Sequence, residues 1–246
     1  MNIKQSGGWT ALFERRCAVA IVAIFLALLA GCVSPIVAPP APGQREPAGF
    51  PGDAYRALLA QGKPVFGVDP ARSMVVIEVR RGGSLARFGH DHVVASHDLA
   101  GFVAPDEGRA DLWLPLDTLT VDEPALRAAA GFDTQPSAED IAGTRSNMMG
   151  RVLEVDRYPH ALIAIRELGS GIHSMRLRIA ITLHGITRVV ESSAEYQRSD
   201  DALSVSGAIQ MDQSEFGIVP LSVLGGAIAV QDRIDMSYRI RADRMK

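Results

Sequence analysis

Cysteine is nearly missing from this sequence: 246 residues contain two, Cys17 and Cys32. Both lie near the N-terminal end, so the body of the chain has no thiol for a disulfide, a nucleophile or a metal site. Aromatic residues make up 6% of the chain, which leaves the core to mid-sized aliphatic side chains. No apolar run reaches the roughly 20 residues that a membrane-spanning helix needs; the longest stretches from Ala18 to Ala30. Basic clusters are also absent, and the formal net charge is −3, which argues against a nucleic-acid partner. There is no G-x-S-x-G elbow and no phosphate-cradling loop, since Gly82-Gly83 and Gly225-Gly226 read as turns. The paired acids Glu139-Asp140 and Asp200-Asp201 fall in polar segments where solvation is the default. The sequence therefore points away from an enzyme.

What is present begins with a processing signal. Lys4, Arg15 and Arg16 precede the short apolar run, which ends in Leu29-Ala30-Gly31-Cys32. This ending resembles the bacterial lipobox, in which cleavage leaves an N-terminal cysteine that carries lipid. Residues 1–31 are read as a lipoprotein signal peptide and Cys32 as the lipidation site. Val33 follows the cysteine, and by resemblance to lipoprotein sorting the lack of Asp there favours the periplasmic face of the outer membrane. Taking away residues 1–31 leaves 215 residues with a net charge of −5, enough for one domain. Residues 32–54 hold six prolines and read as a semi-extended tether of about 3.1 Å per residue. Asp53 to Ala60 suits a two-turn helix with Asp53 as its N-cap, and residues 55–246 form the domain.

From Lys63 onward the apolar pattern has period two. Val75, Ile77 and Val79 alternate with Met74, Val76, Glu78 and Arg80. Ala110, Leu112, Leu114 and Leu116 alternate with Asp111, Trp113 and Pro115. Similar sets occur at Ala161/Ile163/Ile165, Leu177/Ile179/Ile181/Leu183, Leu203/Val205/Ile209/Met211 and Ile234/Met236/Tyr238/Ile240. One dry face per strand is what an antiparallel sheet with one wet side requires. About eight such strands suit either a sandwich or a closed barrel. A helical insertion interrupts them at about residues 121–149. Pro124–Ala130 suits a helix with Asp122 as cap and Gly131 as stop, and Ser137-Ala138-Glu139-Asp140 has the form of a capping box.

Four segments resemble the YceI family of polyisoprenoid-binding, lipocalin-like barrels. They are Phe66-Gly67-Val68-Asp69-Pro70-Ala71-Arg72-Ser73, then Thr144–Met149 with Leu153-Glu154-Val155-Asp156-Arg157-Tyr158-Pro159, then Ile181-Thr182-Leu183-His184-Gly185-Ile186-Thr187-Arg188, and finally Gln213-Ser214-Glu215-Phe216-Gly217-Ile218. The third is the most specific. Order and spacing agree over roughly residues 64–243. Arg72, Ser146, Met148 and Gln213 stand where the family has other polar residues. The resemblance implies an all-β, eight-stranded antiparallel lipocalin-like β-barrel and a lipid or isoprenoid ligand, with no other cofactor.

Two readings of the inward aliphatic sets follow, a packed core or a dry tunnel for an acyl or prenyl chain. In the second, the lining and mouth comprise Val75, Ile77, Val79, Leu112, Leu114, Ile163, Ile179, Ile181, Phe216, Met236 and Tyr238, with Met148 and Met149 at the rim as adaptable apolar surface. His90 and His92 are candidates for contact with a polar head group, and Arg188 for an anionic one. The alternative for the histidines is a metal site, His90 and His92 on one strand face with His97 or Asp98 as a third ligand. A structural role is the third reading of the histidines, with His90 and Asp91 bonded to the turn backbone and His92 capping the pocket mouth; for the whole protein, a scaffold lipoprotein whose barrel serves only partners is a further reading.

Overall fold

The computed structural model describes residues 45–171 and 173–246. Residues 1–44, on which the readings of a signal peptide, of lipidation at Cys32 and of most of the tether fall, lie outside them. Among the described residues no helix is long and apolar enough to cross a membrane.

Twelve strand segments build a closed antiparallel barrel of eight staves. β1 (Phe66–Val68) and β2 (Met74–Gly82) are two halves of one stave, split by a short 3₁₀ turn at Pro70–Arg72. Pro70 lacks a donor, and the Asp69 carboxylate accepts from the Ala71 N–H at 2.9 Å, which turns the chain there. β3 (His92–Ser96) and β4 (Ala100–Ala104) form the next stave, and β5 (Arg109–Pro115) with β6 (Thr120–Val121) the third. β7 (His160–Ser170), β8 (Ser174–Leu183), β9 (Ile186–Arg198), β10 (Ala202–Asp212) and β12 (Ile228–Arg244) complete the ring, while β11 (Ser222–Val223) is a short arm on β12. Closure occurs because β12 is long enough to pair with β2 and then, at Ala242–Arg244, with β1, which also pairs with β4. Closure removes most of the unpaired edge that an open sheet of this length would expose; β9 and β10 pair over Ala194–Arg198 and Leu203–Gly207 and part beyond them.

His184 and Gly185 make the two-residue turn between β8 and β9, both with positive φ (53° and 76°), as a hairpin of this hand demands. Its apex is clamped from outside: His184 Nε2 lies 3.1 Å from Glu154, and its ring packs on Tyr158 at 4.5 Å. The most specific of the four sequence segments thus serves a turn and its clasp. Gly101 is a second constrained point. Its φ is +141°, and a Cβ there would sit 2.4 Å from the Asp111 carbonyl oxygen and 2.6 Å from the Leu112 Cα. Gly101→Ala is expected to lower stability by about 2–4 kcal/mol, read as a lower urea midpoint with an unchanged slope.

The helical insertion is where it was expected. α2 spans Pro124–Ala129 and α3 spans Ala138–Asn147, continuing into one π-helical turn at Met148–Val152. Ser137 and Asp140 form the complete capping box. The N-cap of α2 is Glu123 instead of Asp122, whose carboxylate is taken by other partners described below. α1 spans Gly52–Ala60 with Pro51 as its N-cap, so Asp53 lies inside the first turn and binds Arg56.

α1 also changes how β4 and β5 are covered. Phe50 meets Trp113 edge-on at 4.6 Å, Tyr55 packs on Phe102 at 5.4 Å, and the Tyr55 hydroxyl donates to Asp111 Oδ2 at 2.6 Å. β5 is therefore buried on both faces, and Asp111 and Trp113, which alternate outward, are as dry as the inward leucines. Burial, then the bond to Asp111, pushes the Tyr55 hydroxyl well above the usual phenol range.

Candidate functional site

The inward side chains of all eight staves meet around a cavity of about 260 Å³. It runs the length of the barrel. Leu203 and Met211, at opposite ends of the inward row of β10, both line it, which is eight residue steps or roughly 26 Å along the strand. At one end it is bounded by Pro105, Gly108 and Glu167; at the other by Met148, Val152, Leu153 and Phe216. The helical insertion thus forms the cap of that second end. The lining is almost entirely hydrocarbon. Val75, Ile77, Val79, Leu112, Leu114, Ile163, Ile179, Ile181, Met148, Phe216, Met236 and Tyr238 all contribute to it, together with His92.

Three of the side chains named from the sequence lie elsewhere. Met149 packs into the hydrophobic cluster beneath the insertion. Arg188 is exposed, and its guanidinium donates to the Thr187 carbonyl at 3.1 Å. It shares the inward parity of Ile181 across the β8–β9 ladder, yet β9 pairs with β10 only from Ala194 onward, so at Arg188 the strand has a free side toward which so long a side chain turns to solvent. His90 is outside the lining. Its ring meets His92 edge-on at 6.2 Å between centroids, and its Nδ1 is buried without a hydrogen-bond partner among the described residues.

The histidine cluster is not a metal site of the kind considered above. No group of three His, Cys, Asp or Glu side chains able to hold an ion occurs among the described residues. The reason is geometric. His92 opens β3 and His97 follows its last residue, so five residues of extended chain, roughly 17 Å, separate them. Each takes a different carboxylate: His97 Nε2 lies 2.8 Å from Glu123 near the surface, and His92 Nδ1 lies 2.6 Å from Asp122.

Asp122, which the sequence offers only as a helix cap, is a fully buried carboxylate held by three partners. Its side chain has no exposure. One oxygen accepts from His92; the other accepts from the Val93 N–H at 3.0 Å and from Arg127 Nη1 at 2.5 Å. Arg127 is itself buried, and it also donates to the carbonyls of Asp91 and Thr134. Burial acts to raise the Asp122 pKa, but these donors outweigh it and hold the carboxyl below its usual range. Asp122 adopts φ +57° to make these contacts, a region that Asp tolerates better than most residues. The sequence signal for this arrangement was slight: a polar side chain next to a predicted helix start reads first as a cap.

Among the other polar lining groups, Thr144 on α3 and Glu167 on β7 also face the cavity, while Gln213, Arg109 and Tyr238 are held locally. Gln213 Nε2 donates to the Gln231 carbonyl at 2.9 Å, and Arg109 serves Tyr55 and Asp111. The Tyr238 hydroxyl is buried against the backbone of β10: a Cβ on Gly207 would lie 2.5 Å from it. Gly207 is the residue that lets this ring lie flat on the wall.

A closed eight-stranded antiparallel barrel with a hydrocarbon-lined interior and a helical cap defines a lipocalin-like class of protein. Residues 66–242 match the pattern of the YceI-like domain, and the chain belongs to that family. It is similar in fold to a polyisoprenoid binding domain from Saccharophagus degradans implicated in plant cell wall breakdown, at 13% identity and a TM-score of 0.54, over 74% of this chain and all of that one. It also matches BcnA of Burkholderia cenocepacia, at 13% identity and a TM-score of 0.49, over 71% of this chain and 98% of that one. No curated protein matches it significantly by sequence.

Proposed function

We propose that this protein binds one long-chain amphiphile, a polyisoprenoid or another lipid, with its tail in the barrel, for carriage, storage or sequestration in the cell envelope. The observation that carries the reading is the hydrocarbon-lined cavity running end to end through the barrel. Membership of a family with a polyisoprenoid-binding domain among its structural relatives supports the same ligand class. The driving force is the burial of hydrocarbon, about 0.8 kcal/mol per methylene. Ten methylenes then supply about 8 kcal/mol, in the micromolar range before the costs of ordering are set against it.

This reading is tested by titrating delipidated protein with a homologous series of acyl or prenyl probes. Affinity is expected to rise about fourfold per added methylene until the cavity is full. Affinity that does not depend on chain length would contradict it.

The lipid on Cys32 and the proline-rich tether hold the barrel at the membrane from which the ligand comes, on the periplasmic side of the outer membrane. Cys32→Ala is expected to move the protein from the membrane fraction to the soluble envelope fraction. Persistence of the variant in outer-membrane fractions after a high-salt wash would count against lipid anchoring.

A further inference from the structure

We infer that His92 is the head-group anchor of the cavity, and that it selects amphiphiles whose head is an uncharged hydrogen-bond donor, a long-chain alcohol above all. The inference rests on the amphiphile-binding reading and goes on to name the chemistry of the head.

An ionised carboxylate only accepts hydrogen bonds, and both oxygens of Asp122 already do so, one of them from His92 at 2.6 Å. His92 must therefore carry its proton on Nδ1. Arg127 already supplies the counter-charge to Asp122, so a neutral ring keeps the buried cluster balanced, and in that ring Nε2 is a lone-pair acceptor. Nε2 makes no hydrogen bond to any described residue and does not belong to the set of fully buried unpaired atoms, while the side chain lines the cavity and is only 15% exposed. The ring cannot swing away easily. Asp122 holds one edge, and Asp122 is fixed in turn by Arg127 and the Val93 N–H; His90 closes against another side at 6.2 Å.

The result is a fixed acceptor on a wall that is otherwise almost entirely hydrocarbon. It sits at the capped end, in register with Val79, so a tail can extend from it toward Leu203 at the far end. Among the other polar groups of the lining, Gln213 and Arg109 have protein partners, the Tyr238 hydroxyl is pressed onto β10, Glu167 stands at the opposite end, and Thr144 on α3 shares the capped end but offers a rotatable hydroxyl where His92 is fixed in place. An alcohol O–H satisfies Nε2. An ether of the same length has no proton to give, and a hydrocarbon has neither donor nor acceptor.

The test is a competition on the full-length protein, held in one detergent throughout. Farnesol, its methyl ether and the parent hydrocarbon are offered together, and the bound fraction is extracted and quantified by gas chromatography with mass spectrometry. The readout is the alcohol-to-ether ratio on the wild type divided by that on His92→Phe, so that partition into micelles cancels. A quotient of about ten is expected, the worth of one hydrogen bond made in an apolar cavity. Retained hydrocarbon on the variant reports an intact barrel; His92→Leu is the second variant, in case the ring of Phe fills the site. A quotient near one with hydrocarbon still bound overturns the head-group assignment and leaves amphiphile binding standing. Failure of all three probes to bind wild type overturns both.

Discussion

Ile163→Trp is expected to weaken amphiphile binding by more than about 100-fold while leaving the melting temperature within a few degrees of wild type. Ile163 lies mid-barrel on β7, opposite Leu112 on one neighbour and Ile181 on the other, and all three face the cavity. It touches both main hydrophobic clusters without being fully buried. An indole in that position occupies space that would otherwise hold about four methylenes of a tail. At about 0.8 kcal/mol each, their exclusion removes about 3 kcal/mol, or two orders of magnitude in affinity. The stability half of the prediction separates a hollow interior from a packed one. Enlarging a side chain in a filled core forces strain of about 1–3 kcal/mol, whereas a ring added beside a void gains contacts. Chain-length titrations and thermal melts on the same samples give both numbers.

The second large effect concerns the buried pair behind His92. Asp122→Asn is expected to cost about 3 kcal/mol or more, because Arg127 is left as a buried charge without its counter-ion. For a domain of this size that is a fall of about 6–12 °C in melting temperature. Asparagine also tolerates positive φ, so the substitution isolates the charge from the backbone. Asp122→Ala should be worse by about another 1 kcal/mol, since alanine resists the φ of +57°. The pH dependence has a definite sign. The folded Asp122 pKa is below the unfolded value. Its stabilisation is thus fully present above the ordinary carboxylate range, about pH 4–5, and is lost as pH falls through the depressed folded value. Wild type and Asp122→Asn melts should differ most near neutrality and converge in strong acid.

Much of the barrel was legible in the sequence because its determinant is local. Period-two alternation assigned the inward row of each strand, and the rows at Val75/Ile77/Val79 and Leu177/Ile179/Ile181 do face the interior. The capping box at Ser137 was equally plain, since its two partners lie three residues apart. What the sequence hid depends on contacts between distant segments. Period alone makes Asp111 and Trp113 a wet face; they are dry because residues 50–60 fold over them. Alternation left barrel and sandwich open, since closure depends on the last three residues of β12 reaching β1. Asp122 read as a helix cap, because its partners His92 and Arg127 approach it from β3 and from one turn further along α2. Arg188 has the right parity, but the first half of β9 does not pair with β10 and adds nothing to the lining. The histidines were grouped by their closeness in sequence, but an extended strand carries His97 away from His92.

A lipid tail inside the barrel adds its own mass to the folded protein. Native mass spectrometry of protein isolated from envelopes, followed by solvent extraction of the same sample, measures this directly. The prediction is a discrete mass increment, one amphiphile per chain, released on extraction and much reduced in Ile163→Trp. A folded protein that carries no such increment, and that acquires none when offered long-chain alcohols or lipids, would contradict it.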